Sequence, residues 1–268
     1  MSTSEISLTG LHIYPVKSCA GIDLQTSDLD GMGLRYDRRW MIVDNAGKML
    51  TQRTHPQLAL IETGIREGQL TLSSFGMDAF AVPRCDAHTP RMKATVWNDT
   101  VNAWHIQAAD QWLEQAVGET CHLVQIPDDE VRTCDQTYAK PDDHTGFTDG
   151  FPLLLISQAS LDDLNNRLDQ PVEMRRFRPN LVVDGCDAYA EDGWSEIRIG
   201  DIVMRVVKPC SRCPIPTVDP DTGEVSSGEP LQTLATYREK DGKVFFGQNV
   251  IHDSAGKLRV GDRLTVLK

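Results

Sequence analysis

The sequence has no apolar run long enough to cross a membrane. Its longest apolar runs are of the length of "FPLLLI" (Phe151–Ile156), whereas a membrane-spanning helix needs about 20 apolar residues. The first ten residues, "MSTSEISLTG", have neither the basic start nor the apolar centre of a secretion signal. We therefore expect a cytoplasmic protein that has no membrane partner.

Positive charge is scarce in this chain. Its 268 residues include 27 Lys and Arg against 39 Asp and Glu, which gives a formal net charge of −12 at pH 7. Nucleic acids and anionic membranes bind to basic surfaces, so neither is expected as a partner. An anion that binds to this chain must therefore occupy a dedicated cationic pocket.

The cysteines are few and scattered. There are seven of them, spread from Cys19 to Cys213. A secreted disulfide framework has denser and usually even-numbered cysteines. We therefore predict seven reduced thiols.

The first part of the chain is typical of short strands. Leu8–Val16, Trp40–Asp44 and Gln69–Ser74 are rich in β-branched and aromatic residues and are bounded by turn residues. The polar stretch "DNAGK" after the second of these predicts a hairpin turn. Closely spaced strands of this kind indicate a small barrel or sandwich. One helix is predicted in "QAADQWLEQAVG", with Gly118 as its C-terminal stop.

The second part begins after a polar stretch, Pro127–Gly150, which is either a linker or a functional loop. "PLLLI" then predicts a buried strand, and Ser157 or Ser160 can cap a helix behind it. The segments "NLVVDG", "EIRIGDIVMRVVKP" and "RLTVLK" predict further strands. The fold class is therefore mainly β with a few helices (α+β), and we place a domain boundary near residue 126, which gives domains 1–125 and 126–268.

The segment "KPCSRCPIPTVDPDTGE" (Lys208–Glu224) places Cys210 and Cys213 two residues apart. A structural zinc site needs four ligands, but the sequence has no second cysteine pair and its seven histidines are isolated from one another. A thioredoxin-type dithiol needs a helix that begins at the motif, but Pro214 and Pro216 forbid a regular helix behind this one. Two inert loop cysteines remain an alternative. Arg212 favours a thiolate at Cys213, and a thiolate is the form that binds soft metals.

Three elements place cationic side chains beside predicted strands. Lys17 and Ser18 follow the first strand, where an ammonium, a hydroxyl and backbone N–H groups can hold a phosphate. Arg38 lies two residues before Trp40 and therefore on the same face of a strand, and Arg178 precedes an apolar strand. Each one alone could be an ion-paired surface residue. Together they indicate a pocket for an anionic ligand.

Five segments in this order resemble the MOSC-domain proteins, and among them the molybdenum-cofactor amidoxime-reducing components and their bacterial counterparts. The segments are "LHIYPVKSCAG", "GLRYDRRWMIVD", "LTQRTHPQLALI", "RFRPNLVVDG" and "KPCSRCPIPTVDPDTGE". The resemblance implies an N-terminal MOSC β-barrel domain followed by a β-barrel MOSC domain.

The resemblance also implies site residues and a molybdenum cofactor (Mo-molybdopterin). Cys213 would be the metal ligand and the catalytic residue, and Cys210 would not be a ligand. Backbone contacts would come from the regions around Gly150 and Asn249, where Phe151 and Asn249 differ from the side chains usual in this family. The residues expected to bind the cofactor are Lys17, Ser18, Arg38, Gly150, Phe151, Arg178, Asn180, Ser211, Arg212 and Asn249.

The activity implied by the resemblance is reduction of N-hydroxylated compounds such as amidoximes and hydroxylamines, a detoxifying reaction. The sequence has no further cysteine cluster for an iron–sulfur centre, so a separate flavin or iron–sulfur protein is expected as electron donor. One alternative is a carrier of the cofactor or of sulfur, because MOSC domains also occur in cofactor sulfurases. Another is a barrel protein whose site is unused.

Overall fold

Strands dominate the computed structural model, which describes residues 5–268. The sequence of residues 1–10 predicts no secretion signal, and the first four of these residues lie outside the described part. The strands in the described residues are β1 (Ser7–Ile13), β2 (Ile22–Asp23), β3 (Thr26–Asp30), β4 (Gly33–Leu34), β5 (Trp40–Val43), β6 (Glu62–Arg66), β7 (Gln69–Ser73), β8 (Phe80–Ala81), β9 (Arg91–Val96), β10 (Asp99–His105), β11 (His122–Gln125), β12 (Leu153–Ser157), β13 (Leu181–Asp184), β14 (Glu196–Ile199), β15 (Ile202–Ser211), β16 (Glu239–Lys240), β17 (Lys243–His252), β18 (Gly256–Arg259) and β19 (Leu264–Val266).

Helices are short and few, which confirms the predicted fold class. The α-helices are α1 (Asp110–Val117), α2 (Gln158–Asn165) and α3 (Leu231–Arg238). Short 3-10 segments cover Pro56–Leu60, Gln107–Ala109, Met174–Phe177, Ala190–Gly193 and Ile215–Thr217. Within residues 5–268, none of these helices has both the length and the apolar character needed to cross a membrane.

The two helix ends predicted from the sequence are confirmed. Gly118 ends α1 in the left-handed conformation (φ 87°), and its N–H donates to the carbonyl of Glu114. At the start of α2, the Ser157 side chain accepts a hydrogen bond from the backbone N–H of Ser160. The turn after β5 also forms, because the N–H of Asp44 donates to the carbonyl of Lys48. Its return arm is only an isolated bridge between Val43 and Met49.

The largest sheet joins both ends of the chain. Its strands follow the order β19-β14-β15-β17-β12-β13-β1-β2, and β16 also pairs with β17. Strand β1 runs antiparallel to β13, with Leu11 opposite Leu181, and β3 pairs with β18. Strands from the first 34 residues are therefore paired with strands of the second half. The domain boundary near residue 126 stays a prediction.

The first half has its own sheet, in the order β5-β11-β10-β9, and a three-stranded sheet β6-β7-β8. Buried side chains such as Trp40, Leu58 and Leu113 form a core there. A second core, with Leu11, Leu155 and Met204, lies against the nine-stranded sheet.

The polar stretch 127–150 has no strand or helix in the described structure, but a buried arginine fixes its course. Arg132 is 5% exposed, and its guanidinium donates to the carbonyl oxygens of Gly146 (2.9 Å) and Thr148 (2.7 Å). Its Nε also donates to Asp99 at 2.7 Å. These side-chain hydrogen bonds hold a loop that forms no strand or helix of its own, and they position Asp149 and Gly150 at its end.

Candidate functional site

One pocket contains every site residue predicted from the sequence. Its walls come from the turn after β1, the residues before β5, the end of the 127–150 loop, the segment before β13 and the end of β15. The predicted residues that line it are Lys17, Ser18, Arg38, Gly150, Phe151, Arg178, Asn180, Ser211, Arg212, Cys213 and Asn249. The pocket is also lined by Arg53, Asp149 and Cys210, which the sequence analysis did not assign to the cofactor.

Lys17 is a neutralised cation in this pocket. It is 7% exposed, and its Nζ donates to the carbonyl of Phe147 at 2.8 Å and to Asp149 Oδ1 at 2.6 Å. Burial lowers the pKa of Lys17, and the Asp149 carboxylate opposes that effect. Lys17 therefore holds the loop at the pocket wall, and its charge is already paired.

Asp149 stands at the mouth of the pocket, where its side chain is 57% exposed. Desolvation acts to raise its pKa, but the charges of Lys17 and Arg53 and hydrogen bonds from Lys17 and Trp97 together lower it. The Trp97 Nε1 donates to Asp149 Oδ1 at 3.0 Å. The carboxylate is consequently ionised at neutral pH.

Arg38 and Arg178 lie against the ring of the buried Tyr14. Their Cζ atoms are 4.5 Å and 4.1 Å from its centroid, which is cation–π distance. Arg38 is paired, because its Nη1 donates to Asp37 Oδ2 at 2.7 Å and to Asn180 Oδ1 at 3.0 Å. Arg178 donates through Nη1 to the carbonyl of Cys19 at 2.8 Å. Among the described residues, no carboxylate forms an ion pair with Arg178.

Three buried donors in the pocket lack partners. They are Ser18 Oγ, Arg178 Nη2 and Arg212 Nε, and no described residue forms a hydrogen bond with any of them. Burial lowers the pKa of Arg178 to about 10, with the nearby Arg38 as the next cause. A buried donor without an acceptor costs about 1–3 kcal/mol, and more if it is charged. Acceptor oxygens, such as those of a phosphate, are the groups that such donors bind.

Three pocket residues adopt a backbone conformation that is rare for residues with side chains. Ser18, Arg38 and Arg178 have φ angles of 71°, 45° and 56°. Left-handed conformations outside glycine cost on the order of 1–3 kcal/mol and cluster at functional sites. The explanation given for Arg38 from strand alternation was wrong, because Arg38 precedes β5 in this left-handed conformation. The side chain reaches the pocket through a turn.

Cys213 lies in the loop between β15 and the 3-10 segment Ile215–Thr217. The guanidinium beside its sulfur belongs to Arg53, whose Nη2 is 3.2 Å from Cys213 Sγ and 3.4 Å from Asp149 Oδ2. Arg53 also lies over the Trp97 ring, with its Cζ 4.6 Å from the centroid. A cation in contact with sulfur attracts the negative charge of a thiolate.

Arg212 contacts the other cysteine of the pair. Its Nη1 is 3.3 Å from Cys210 Sγ, and its Nη2 donates to the carbonyl of Phe177 at 2.8 Å. The expectation that Arg212 acts on Cys213 is therefore corrected by the geometry. Desolvation raises the pKa of the Cys210 thiol, while Arg212 opposes that effect. Cys210 is thus favoured as a neutral thiol.

The alternatives for the cysteine pair can be weighed against the same structure. All seven cysteines are free. Within the described residues, no third His, Cys, Asp or Glu joins Cys210 and Cys213 in a group with metal-ligand spacing. A four-ligand zinc site is therefore not formed here by protein side chains alone, and any metal at Cys213 must bring further ligands with it.

The remaining predicted residues shape the pocket. A Cβ on Gly150 would meet no atom within 4 Å, so this backbone borders open space. Asn249 donates through Nδ2 to the carbonyl of Lys208 at 3.1 Å and so links β17 to β15. Asn180 donates to the carbonyl of His12 at 3.1 Å, which links the pocket to β1. Phe151, 9% exposed, forms an apolar part of the wall.

Arg53 and Asp149 were not identified from the sequence as site residues. Arg53 lies within "LTQRTHPQLALI" and Asp149 directly precedes Gly150, so both belong to segments that were already singled out. Their roles depend on contacts across 160 and 132 residues of chain, with Cys213 and Lys17 respectively. No local pattern reports contacts of that range.

Comparison with known proteins gives a consistent result over nearly the whole chain. Residues 5–120 match the family model of the MOSC N-terminal beta barrel domain, and residues 142–265 match that of the MOSC domain. Mitochondrial amidoxime-reducing component 1 of Mus musculus is 37% identical over 279 residues, which cover 96% of this chain and 81% of that protein. The Homo sapiens protein of the same name is 38% identical, with 96% and 82% covered. Molybdenum cofactor sulfurase of Oryza sativa subsp. japonica is 34% identical over 275 residues, which cover 93% of this chain and 32% of that protein.

Proposed function

This chain belongs to the MOSC-domain family, and we propose on that premise that it binds a molybdenum cofactor in the pocket. We propose further that it reduces N-hydroxylated compounds. Among its relatives, one is named for the molybdenum cofactor, which supports an association of this chain with that cofactor. Two others are named for the reduction of amidoximes. The seven free thiols favour a reducing compartment, and we propose that the protein acts in the cytoplasm.

The observation that supports cofactor binding best is the set of unpaired donors. Ser18 Oγ, Arg178 Nη2 and Arg212 Nε are buried in one pocket without acceptors among the described residues. Arg178 adds a positive charge that forms no ion pair with any carboxylate of the described residues. A phosphate supplies several acceptor oxygens and a compensating charge, so the phosphate of a pterin cofactor fits this part of the pocket.

Cys213 supplies the one protein ligand that a pterin-bound molybdenum needs. Cys213 Sγ lies in the same pocket as these unpaired donors, and Arg53 Nη2 is 3.2 Å from this sulfur. The dithiolene of the pterin would supply two more sulfurs, so a single thiolate is sufficient where zinc needs four ligands. Bound there, the cofactor would supply the two-electron exchange that removes oxygen from the substrate.

The overall reaction consumes two electrons and two protons. A substrate N–OH group is converted into N–H, and its oxygen leaves as water. Arg53 and Asp149 lie at the exposed side of the sulfur, where a substrate would enter. Since the pKa of Asp149 is lowered, this carboxylate accepts hydrogen bonds from the substrate rather than donating a proton at neutral pH.

The electrons are proposed to come from a separate flavin or iron–sulfur protein. Cys213 is the only residue of the pocket for which we propose a redox metal, and such a centre must be re-reduced after each turnover. The net charge of −12 provides acidic surface on which basic patches of a donor could dock.

The proposal is tested with protein from a host that makes the molybdenum cofactor. Molybdenum is measured by elemental analysis and the pterin by the fluorescence of its oxidised form. Turnover of an aromatic amidoxime to the amidine is then measured with a chemically reduced viologen dye as donor. We expect about one molybdenum per chain and turnover that requires Cys213. Protein that binds no molybdenum in this host would contradict the proposal.

A second function is favoured by the similarity to molybdenum cofactor sulfurase. The chain would then carry the cofactor, or sulfur for it, without turning over a substrate. Molybdenum would be present, but the dye-coupled assay would show no amidine. Transfer of the cofactor to a cofactor-free molybdenum enzyme, read as recovered activity of that enzyme, would identify the carrier.

A further inference from the structure

Three side chains that can bind a metal meet outside the pocket, in the first half of the fold. His105 ends β10, Asp110 begins α1 and His122 begins β11. His105 Nε2 is 3.1 Å and 3.0 Å from the two carboxylate oxygens of Asp110. His122 Nδ1 is 3.0 Å from Asp110 Oδ2. One ligand atom from each residue lies within 4.8 Å of the others.

The strand register explains why the two histidines are neighbours. His105 on β10 pairs with Val124 on the antiparallel β11. His122 is two residues from Val124, and side chains alternate along a strand, so His122 and His105 project from the same face. Their rings are 4.6 Å apart. The 3-10 segment Gln107–Ala109 then returns the chain to Asp110, which completes the group.

The hydrogen bond of His122 to Asn45 fixes where its proton sits. His122 Nε2 is 3.0 Å from Asn45 Oδ1, and an amide oxygen only accepts, so Nε2 must carry the hydrogen. In the neutral ring, Nδ1 then has a lone pair and no hydrogen. Asp110 Oδ2 lies 3.0 Å from this nitrogen, but the two do not form a hydrogen bond. His122 Nδ1 is buried and has no hydrogen-bond partner among the described residues.

A cation between the ring and the carboxylate would supply the partner that His122 Nδ1 lacks. Among residues 5–268, Asp110 forms no ion pair with Lys or Arg, and its partners are the two histidines. The side chains of His105, Asp110 and His122 are 14%, 29% and 17% exposed, so water only partly screens the carboxylate. A divalent cation would be attracted to both acceptors at once.

We propose that His105 Nε2, the Asp110 carboxylate and His122 Nδ1 bind a divalent transition-metal ion, with Zn²⁺ the ion that suits them best. Two imidazoles and one carboxylate are a ligand set typical of zinc, whereas Mg²⁺ and Ca²⁺ prefer oxygen ligands. Zinc-bound donors lie about 2.0–2.2 Å from the metal, so small side-chain movements suffice. Asn45 orients His122 through its other nitrogen, as outer partners of metal-binding histidines do.

The ion would tie β10, α1 and β11 together and would leave one coordination position for water. This site does not involve the pocket or its cofactor, so the proposal does not depend on the proposed function. The competing explanation is a histidine–carboxylate cluster in which His122 pairs with Asp110 without metal. Metal binding distinguishes the two.

The test measures Zn²⁺ and Co²⁺ binding to the full chain after dialysis against a chelator. The variants are His122→Ala, His105→Ala and Asn45→Ala. The matched control is His55→Ala, because His55 forms a single histidine–carboxylate pair with Glu119 at 2.8 Å and has no second histidine. Molybdenum content is recorded in every sample, and circular dichroism checks the fold.

We expect one Zn²⁺ per chain at this site and a higher Tm with zinc than without it. Loss of an outer partner typically weakens metal binding about 10–100-fold, so Asn45→Ala should fall in that range and loss of a histidine ligand should exceed it. His55→Ala should bind like the unaltered chain. Co²⁺ should give visible bands of tetrahedral geometry without the near-ultraviolet sulfur bands that the free cysteines would produce.

Zinc binding of equal strength in His122→Ala and the unaltered chain would overturn the proposal, and so would a Co²⁺ spectrum dominated by sulfur ligation. Absence of binding to the unaltered chain would overturn it in favour of the metal-free histidine–carboxylate cluster. If His122→Ala fails to fold, His105→Asn, which keeps a polar side chain at the end of β10, takes its place with the same expected loss of affinity.

Discussion

Replacement of Arg178 should have opposite effects on the empty and the loaded protein. In the empty pocket, its buried Nη2 lacks an acceptor, and its guanidinium forms no ion pair with a carboxylate within residues 5–268. Its pKa is lowered to about 10 from 12.5, mainly by burial. At one pKa unit per about 1.4 kcal/mol, the charged side chain destabilises the empty fold by up to about 3 kcal/mol. Because the folded pKa is lowered, this penalty is fully present below about pH 10, including neutral pH.

In the loaded protein Arg178 should be favourable, because it binds the cofactor, so its replacement should weaken cofactor binding. A hydrogen bond to a charged group contributes about 1.5–3 kcal/mol, which corresponds to roughly 10- to 150-fold in affinity. Arg178→Lys keeps the charge but loses the planar fork that matches phosphate oxygens, so we expect retention to weaken by about tenfold. Arg178→Met loses the charge as well and should weaken retention more strongly.

Two measurements check the expected effects on the stability of the empty protein and on cofactor retention. Thermal unfolding of protein from a host without the cofactor should show an Arg178→Met variant at least as stable as the unaltered chain. One kcal/mol corresponds to about 2–4 °C at this chain length, so the gain can reach several degrees, reduced by the lost contacts with Tyr14 and Cys19. Elemental analysis after dialysis of cofactor-loaded protein should show less molybdenum in Arg178→Lys.

The matched control is Arg176→Lys, in the 3-10 segment Met174–Phe177 that directly precedes Arg178. Arg176 is paired with Asp219 at 2.7 Å and does not line the pocket, so its replacement should leave molybdenum content unchanged. Full molybdenum occupancy in both Arg178 variants would refute the reasoning that this arginine binds an anion. A large loss of Tm in cofactor-free Arg178→Met would show instead that the guanidinium holds the fold together.

Three further predictions follow from the same pocket. Cys213→Ala should abolish amidoxime turnover while Cys210→Ala keeps most of it, because only Cys213 is proposed as a metal ligand; equal loss in both would favour a dithiol mechanism. Arg53→Leu should slow alkylation of Cys213 in cofactor-free protein several-fold, since the guanidinium 3.2 Å from Sγ is lost. The exposed control Arg84→Leu should leave this rate unchanged, and mass spectrometry of the labelled peptide measures both rates. NADH or NADPH alone should give no turnover, and activity restored by a reductase protein should weaken as salt rises; direct turnover with a nicotinamide and no second protein would disprove the need for a donor.

Local sequence pattern predicted the strands because each depends on its own residues. The segments Trp40–Asp44 and Gln69–Ser74 became β5 and β7 with nearly the predicted bounds, since β-branched and aromatic residues favour half-buried strands wherever they pair. The stop of α1 at Gly118 depends on one residue that adopts φ 87° without strain. Such features require no knowledge of distant partners.

The chemistry of the pocket was only partly predictable for the opposite reason. The sequence indicated which residues are cationic, but not which of them are neutralised. Lys17 is paired with Asp149 across 132 residues, whereas Arg178 has no such partner among the described residues. The difference between a structural cation and an anion-binding one lies in those long-range contacts. The same holds for His105 and His122, which are isolated in the sequence and meet only through the register of β10 and β11.

The pairing of β1 with β13 is the contact that assembles the pocket. Leu11 lies opposite Leu181. Because β1 and β13 are antiparallel, the residues that follow β1 and those that precede β13 lie at the same end of the two strands. Asn180 reinforces the junction, because its side chain donates to the carbonyl of His12 and its own carbonyl accepts from the N–H of His12. The common end of these two strands places Ser18 and Arg178 in one pocket. Burial of two apolar strands in a common sheet therefore stabilises a site whose unpaired donors and left-handed residues are themselves unfavourable.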